Sequence, residues 1–299
     1  MEKVYILLDV GGTEIKCSIS DEKGTIIHNV CSYESCANKG KEEVLDNFTL
    51  ILKEWVQKVQ EVPIAGIGFA FPGPFDYEHG ISLMKGINKY DSIYGVSIER
   101  EMKKRLPALR EVPFKFLHDV EAFALGVCSF GQAVDARRVF CLCIGTGAGS
   151  AFLENGIPLK EERQGVPKNG WIYCVPYKES IVDDYISVRG LETISKQVMG
   201  AFRSGKELAK LCRLGNQKAQ IVWERFGEEL KDSMTPFLDS FCPDTVVIGG
   251  QIAKSFDLFG EGFQKECEKR GIKLYIEPET SVKTMQGLFV SSMKEKEEC

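Results

Sequence analysis

The sequence predicts an α/β protein of two domains facing one another across a cleft, and three observations lead there. The chain has 299 residues, more than one hydrophobic core usually organises; at about 150 residues per domain the expectation is two. Strand-like apolar runs alternate with segments of helical periodicity. A strand–turn–strand hairpin with a glycine–threonine turn occurs at Gly11-Gly12-Thr13 and again at Gly145-Thr146-Gly147, as an internal duplication would leave it. No Pro/Ser-rich linker separates the halves, so they are expected to be closely hinged.

The opening run Lys3–Val10 (KVYILLDV) is β-branched and aliphatic. Ile15–Ser20 follows, Asp21 to Gly24 is a turn signal, and Thr25–Val30 reads as a third strand of an antiparallel meander. Within Lys41–Gln60, the apolar residues Val44, Leu45, Phe48, Ile51, Leu52, Trp55, Val56 and Val59 recur at spacings of three and four, which makes an amphipathic helix. Pro63 ends it, and Ala65–Ala70 is the next buried strand. Phe114–Leu117 is a short strand leading into a helix over Val120–Gly126. The order then recurs: Val139–Ile144 runs into the second glycine–threonine turn, Ala151–Glu154 is a strand, and Asn155-Gly156 is a hairpin signal. Helical stretches occupy roughly 189–204 and 217–241. Thr245–Ile248 ends in Gly249-Gly250, and the terminal KEKEE reads as a solvated helix end.

Composition narrows the function class. Hydrophobic residues at 43% and charged residues at 27% describe a globular chain, not a disordered, collagen-like or coiled-coil one. A net charge of −5 offers no broad footprint for nucleic acid. The 11 cysteines are odd in number and scattered, unlike a secreted disulfide scaffold. The close pair Cys141-Leu142-Cys143 is either two small hydrophobes in a strand core or a metal or redox pair. No run approaches the ~18 apolar residues of a membrane span, and the first apolar run is too short for a signal peptide. A cytoplasmic location is expected.

Four places could carry chemistry. Asp9 ends a buried strand directly before Gly11, Gly12 and Thr13, where backbone amides and a hydroxyl can approach phosphate oxygens and the carboxylate can hold a hydrated Mg²⁺; the other reading is a plain turn. Gly145, Thr146 and Gly147 form either a second phosphate cradle or a tight bend at a sheet corner. Gly249, Gly250 and Gln251 would admit a flat nucleoside or are again a turn. Asp119, between a strand and a helix, is placed to accept a proton from a hydroxyl or to cap the helix.

Taken in order, LDVGGTEIK at 8–16, GIGFAFPGPFD at 66–76, HDVEAFALG at 118–126, CIGTGAGSAFLENGIPL at 143–159 and VVIGGQIA at 246–253 resemble the five motifs of the ROK family of bacterial sugar kinases and sugar-responsive repressors. The resemblance spans the whole chain. It implies an actin-like (ribonuclease H-like) fold, with one α/β domain of residues 1–117 plus 285–299, another of 118–284, and a nucleotide and sugar cleft between them. It implies ATP and Mg²⁺ as cofactors and phosphorylation of a sugar hydroxyl. Asp119 would be the catalytic base and Asp9 the Mg²⁺-side carboxylate, acting through water. Gly11, Gly12, Thr13, Gly145, Thr146 and Gly147 would cradle phosphates, and Gly249, Gly250 and Gln251 would border adenosine. Asn88, His118, Asp119 and Asp183 would meet the sugar, while the Pro-Gly-Pro segment shapes the cleft. A homodimer is a further implication.

The departures are as informative. His118 replaces the family's asparagine, and Ser150 replaces a glycine. Lys168-Asn169-Gly170-Trp171 stands where the sugar-binding E-x-G-H belongs, and the cysteine-rich zinc motif is missing, so no structural zinc is expected. Asp183 occupies the place of a sugar-binding glutamate. Phosphoryl-transfer residues are kept while the sugar pocket is rewritten. Two other readings stay open: a sugar-sensing protein with weak or no catalysis, and a kinase of a non-hexose small molecule, for which Lys168 and Trp171 would suit an anionic or stacking ligand. Trp171 could equally be a core aromatic. Because the first phosphate motif begins at residue 8, a winged-helix domain is not expected, nor is direct DNA binding or membrane association.

Overall fold

The computed structural model describes residues 3–59 and 62–297. In chain order its elements begin with β1 (Val4–Val10), β2 (Glu14–Ser20), β3 (Cys31–Glu34), α1 (Lys41–Lys58), β4 (Ile64–Phe71), β5 (Phe75–Asp76), β6 (Ile81–Ser82), α2 (Ile98–Arg105), β7 (Phe114–His118) and α3 (Asp119–Phe130). They continue with β8 (Arg138–Ile144), β9 (Ala148–Glu154), β10 (Ile157–Pro158), β11 (Pro176–Tyr177), β12 (Ser180–Ile181), α4 (Val188–Met199), α5 (Gly205–Arg213), α6 (Gln217–Phe241), β13 (Thr245–Gly249), α7 (Glu261–Lys269), β14 (Lys273–Ile276) and α8 (Thr280–Glu297). Gln60, and the side chains and last residue of KEKEE, lie outside the described residues. No helix among the described residues is long and apolar enough to cross a membrane.

The chain divides into two compact units, Met1–Phe130 with Ser281–Cys299, and Gly131–Thr280. In the first unit five strands run in the order β3-β2-β1-β4-β7. The β1–β2 and β2–β3 pairs are antiparallel, whereas β1–β4 and β4–β7 are parallel. Strands β1 and β4 are buried on both faces, hence their nearly unbroken apolar sequence. Against them α1 lays Val44, Leu45, Phe48, Ile51, Leu52 and Trp55, all buried; its first turn is closed by the Glu43 carboxylate, which accepts the Gly40 amide at 3.1 Å.

The third strand is later than expected. Thr25–Val30 contributes a single bridge, Ser20 to Ile26, and β3 begins at Cys31. The Asp21 carboxylate accepts the amides of Lys23 and Thr25, each at 2.9 Å, and the Ser18 hydroxyl donates to the His28 carbonyl at 2.7 Å. Those side-chain bonds hold residues 21–30 as a wide loop instead of a ladder.

The second unit repeats the plan, with strand order β10-β9-β8-β13-β14. Antiparallel pairing again gives way to parallel pairing in the same places, so the duplication read from the two hairpins is present in the sheets themselves. The β9–β10 turn has Asn155 and Gly156 both at positive φ, as a two-residue hairpin of this hand requires. The helical stretch expected over 189–204 stops early, at Met199, and an unexpected helix, α5, begins at Gly205. Gly200 ends α4 at φ 75°, and Ser204 starts α5 with its hydroxyl accepting the Glu207 amide at 3.2 Å.

The division between units also falls elsewhere than expected, because α3 packs with the first unit. The reason is a crossing of glycines: a Cβ on Gly126 would lie 1.8 Å from the Lys283 carbonyl oxygen, and one on Gly287 would lie 1.7 Å from that of Ala122. Backbones of α3 and α8 touch there, which only glycine permits. Gly287→Ala should therefore cost roughly 1–3 kcal/mol or more and lower the melting temperature by several degrees. Gly262→Ala, whose Cβ would meet only Lys231 Cδ at 3.6 Å, should melt at or above wild type. Equal melting curves for Gly287→Ala and wild type in calorimetry would refute the backbone-contact account.

Candidate active site

Parallel strands β1, β4 and β7 bring their carboxyl ends to one edge of the first sheet, the edge at which open α/β sheets hold ligands. Asp9 pairs in register with Ala70, and Ala70 with Leu117. That row places the Gly11–Thr13 turn, the Pro72–Pro74 segment and His118-Asp119 side by side.

The turn is braced from behind. Its own Gly11 amide donates to the Glu14 carbonyl at 2.9 Å. The Tyr90 hydroxyl donates to the Gly11 carbonyl at 2.9 Å, the Ser35 hydroxyl to the Gly12 carbonyl at 2.7 Å, and the Ser35 amide to the Thr13 carbonyl at 3.2 Å. With all three carbonyls occupied, the exposed amides of Gly12 and Thr13 donate to no described residue. They form a ready anion site. Lys89 lies across this turn, its Cδ 3.5 Å from where a Gly12 Cβ would be, and its ammonium pairs with no carboxylate among the described residues. Asn88 is exposed at φ 59°, and its amide donates to the Asp91 carboxylate at 3.2 Å.

Asp119 opens α3. One carboxylate oxygen, Oδ1, accepts the Val120 amide at 2.8 Å and lies 3.4 Å from His118 Nδ1. The other oxygen has no partner among the described residues, and the side chain is 37% exposed. One carboxylate oxygen is therefore held at the start of α3, by the neighbouring amide and not by an N-cap bond, while among the described residues the other stays open. His118 is only 13% exposed and meets the Tyr77 ring edge-on at 6.1 Å. A Cβ on Gly73 would lie 3.4 Å from the Tyr77 hydroxyl and 3.8 Å from His118 Cδ2, ordinary contact distances, so the Pro-Gly-Pro segment lies beside His118.

Asp9 is half-buried. Burial, reinforced by the negative charges of Asp119 and Glu14, pushes its carboxyl up to about 6, against the Ser281 hydroxyl and the Lys16 ammonium, which favour the charged form. Lys16 Nζ donates to Ser281 Oγ at 3.1 Å, so lysine, serine and carboxylate form a chain.

In the second unit the same roles recur with other residues. The Gly145 amide donates to the Gly147 carbonyl at 2.9 Å, and the Val188 amide to the Gly145 carbonyl at 3.0 Å. The exposed amides of Thr146 and Gly147 donate to no described residue. Asp183 lies behind this turn, Oδ1 accepting the Ala148 amide at 2.5 Å. Gly250, at φ 97°, packs on the end of β8, where a Cβ would lie 2.4 Å from the Ile144 carbonyl oxygen. That approach sets Gly249-Gly250-Gln251 beside the second turn. Just beyond is a cavity of about 430 Å³ lined by Ala253, Lys254, Phe256, Asp257, Ile276, Glu277 and Pro278.

Ser150 has a structural use: its hydroxyl donates to the Gly170 carbonyl at 2.5 Å and accepts the Ile172 amide at 2.9 Å. It thereby fixes the 168–172 segment, where Lys168 is exposed and the Trp171 and Tyr173 rings lie 5.9 Å apart. Cys141 is buried, Cys143 half-buried and Cys174 exposed. Among the described residues no three His, Cys, Asp or Glu side chains converge as a metal-ligand set.

Residues 5–286 match the ROK family model. The chain belongs to the ROK family. Its relatives include the N-acetyl-D-glucosamine kinase of Haemophilus influenzae, 26% identical over 280 residues, with 88% of each chain covered. Among solved structures, the ROK hexokinase of Thermus thermophilus superposes with a TM-score of 0.78 at 19% identity, covering 99% of this chain and 100% of that one. A ROK family transcriptional regulator, a homologue of the E. coli MLC protein, superposes with a TM-score of 0.80 at 14% identity over 98% of this chain and 79% of its own. The ROK architecture, an α/β fold in two lobes, is thus common to kinases and regulators.

Sequence reasoning missed Ser35, Tyr90, Lys89, Ser281 and Arg189, each far in sequence from the turn or carboxylate it serves or isolated from any motif. The Asp9 environment yields a stability test. A carboxyl raised from 3.8 to about 6 binds its proton more tightly folded than unfolded, so its contribution is favourable below about pH 4 and is lost as pH rises to about 6. Without divalent ions, Asp9→Asn should be more stable than wild type at pH 7.5 by roughly 1–3 kcal/mol, with the gain vanishing near pH 4. Urea unfolding in EDTA at both pH values checks it; a variant no more stable than wild type at pH 7.5 would contradict the burial cost.

Proposed function

We propose that this ROK protein transfers the terminal phosphoryl group of ATP to a hydroxyl of a hexose or amino sugar. The observation that carries the reading is Asp119: a carboxylate at the carboxyl edge of the parallel strands, one oxygen fixed by the Val120 amide in the first turn of α3 and the other without a partner among the described residues. Such a group can orient an alcohol and take its proton as the phosphoryl group arrives. The kinase relatives support the reaction class, and the shared plan of the two sheets supports an actin-like ancestry.

Phosphoryl transfer has a loose transition state, so positioning and charge compensation carry most of the rate. The amides of Gly12 and Thr13, and of Thr146 and Gly147, which have no acceptor among the described residues, are suited to phosphate oxygens. Lys89 adds a positive charge beside the first pair. Gly249, Gly250 and Gln251, with the cavity beyond them, suit a nucleoside. Burial, with the negative charge of Asp119 adding to it, raises Asp9, which is the donor environment a hard cation relieves. Mg²⁺ bound there would offset phosphate charge, with Asp9 holding it through water.

His118, Asp119 and Asn88 are the proposed sugar contacts. A second reading, a sugar sensor without turnover, is favoured by one observation: Lys168-Asn169-Gly170-Trp171 supplies neither the carboxylate nor the histidine of the family's sugar motif. Release of ADP with a panel of hexoses and amino sugars separates the two; binding of ATP with no turnover on any sugar favours the sensor. On the kinase reading, Asp119→Asn should lower kcat by about 10²–10⁴-fold while calorimetry finds ATP affinity within about threefold of wild type. A variant as fast as wild type in a coupled assay would remove Asp119 as the base.

A further inference from the structure

We infer that Asp183 is the strut of the second glycine turn, with Arg189 as its partner, and is not a reader of sugar hydroxyls. The phosphate-holding purpose of that turn rests on the kinase reading above; the strut itself rests on geometry. Asp183 is 8% exposed. Its Oδ1 accepts the Ala148 amide at 2.5 Å, directly after the turn. The same oxygen lies 3.2 Å from where a Gly147 Cβ would be, so the carboxylate occupies the space that a side chain at 147 would need. Its Oδ2 is paired with the Arg189 guanidinium. Both oxygens are therefore engaged inside the second unit.

The following residues close the clasp. The Val188 amide holds the Gly145 carbonyl at 3.0 Å. The Ser187 hydroxyl accepts the Arg189 amide at 3.2 Å, and Arg189 Nε donates to Asp184 Oδ1 at 3.0 Å. Residues 183–189 thus grip both ends of a three-residue turn. A bare carboxylate so close to that turn would repel an anion, and the guanidinium, shared with Asp184, offsets part of its charge. Side-chain length explains the change of role. The glutamate expected here from the resemblance is one methylene longer; the aspartate is drawn back to the turn. Sugar selection in this chain must then do without that carboxylate.

The test compares Asp183→Ala and Asp183→Asn with wild type in two measurements. Calorimetry follows a non-hydrolysable ATP analogue, and kinetics follow the KM of whichever of glucose, N-acetylglucosamine or N-acetylmannosamine turns over. Asp183→Ala should weaken analogue binding and raise the KM for ATP about tenfold or more, leaving the sugar KM within about twofold. Asp183→Asn keeps an acceptor for the Ala148 amide and should restore affinity to within about threefold. Amide exchange gives a readout independent of any ligand: in Asp183→Ala the Ala148 amide should lose protection while the β8 and β9 ladder keeps it. A raised sugar KM with unaltered analogue binding, or an Ala148 amide equally protected in Asp183→Ala and wild type, would overturn the assignment. Failure of the wild type to bind the analogue, with Ala148 protection lost as expected, would instead sink the kinase reading and leave the strut standing.

Discussion

A short turn can present its amides to an anion only if its carbonyls are satisfied elsewhere. A peptide group is a dipole, and a turn of three or four residues has no ladder to absorb the acceptor ends. Much of this molecule is arranged around that constraint, twice over. In the first unit the hydroxyls of Tyr90 and Ser35 take the Gly11 and Gly12 carbonyls. In the second, the Val188 amide takes that of Gly145, and a carboxylate anchors the Ala148 amide that follows. Amides remain facing outward in both, at Gly12 and Thr13 and at Thr146 and Gly147.

The solutions differ in what they cost. Hydroxyls are neutral, so the first turn needs no counter-charge behind it. The second uses a carboxylate and must neutralise it with Arg189. Negative charge on the first unit's edge is concentrated instead in Asp9 and Asp119, where burial and mutual repulsion raise Asp9 toward neutral pH. A fold pays stability for carboxylates held this way, and functional sites are where such strain collects.

Support for these groups comes from backbone contact more than from side chains. Asp119 is aimed by α3, and α3 is seated by the glycine crossing with α8, so residues near the C-terminus help set the angle of a group near the middle of the chain. Gly250 does the equivalent in the second unit, laying one glycine turn on the end of another strand. Each contact leaves no room for a Cβ.

The sequence alone was enough to determine the α/β class, most strands and helices, the duplicated hairpins and the order of the five motifs. These follow from local periodicity, turn chemistry and residues adjacent along the chain. It misplaced the third strand, ran α4 past Gly200 and missed α5, because the side-chain bonds of Asp21 and Ser18, the left-handed Gly200 and the Ser204 cap act locally in ways that hydropathy does not register. Only the tertiary structure decided that Asp183 faces a turn, that Tyr90 and Ser35 brace another, and that α3 belongs with the first unit. Those facts depend on side chains and backbones far apart in sequence meeting within hydrogen-bond distance, and no spacing along one chain encodes such a meeting.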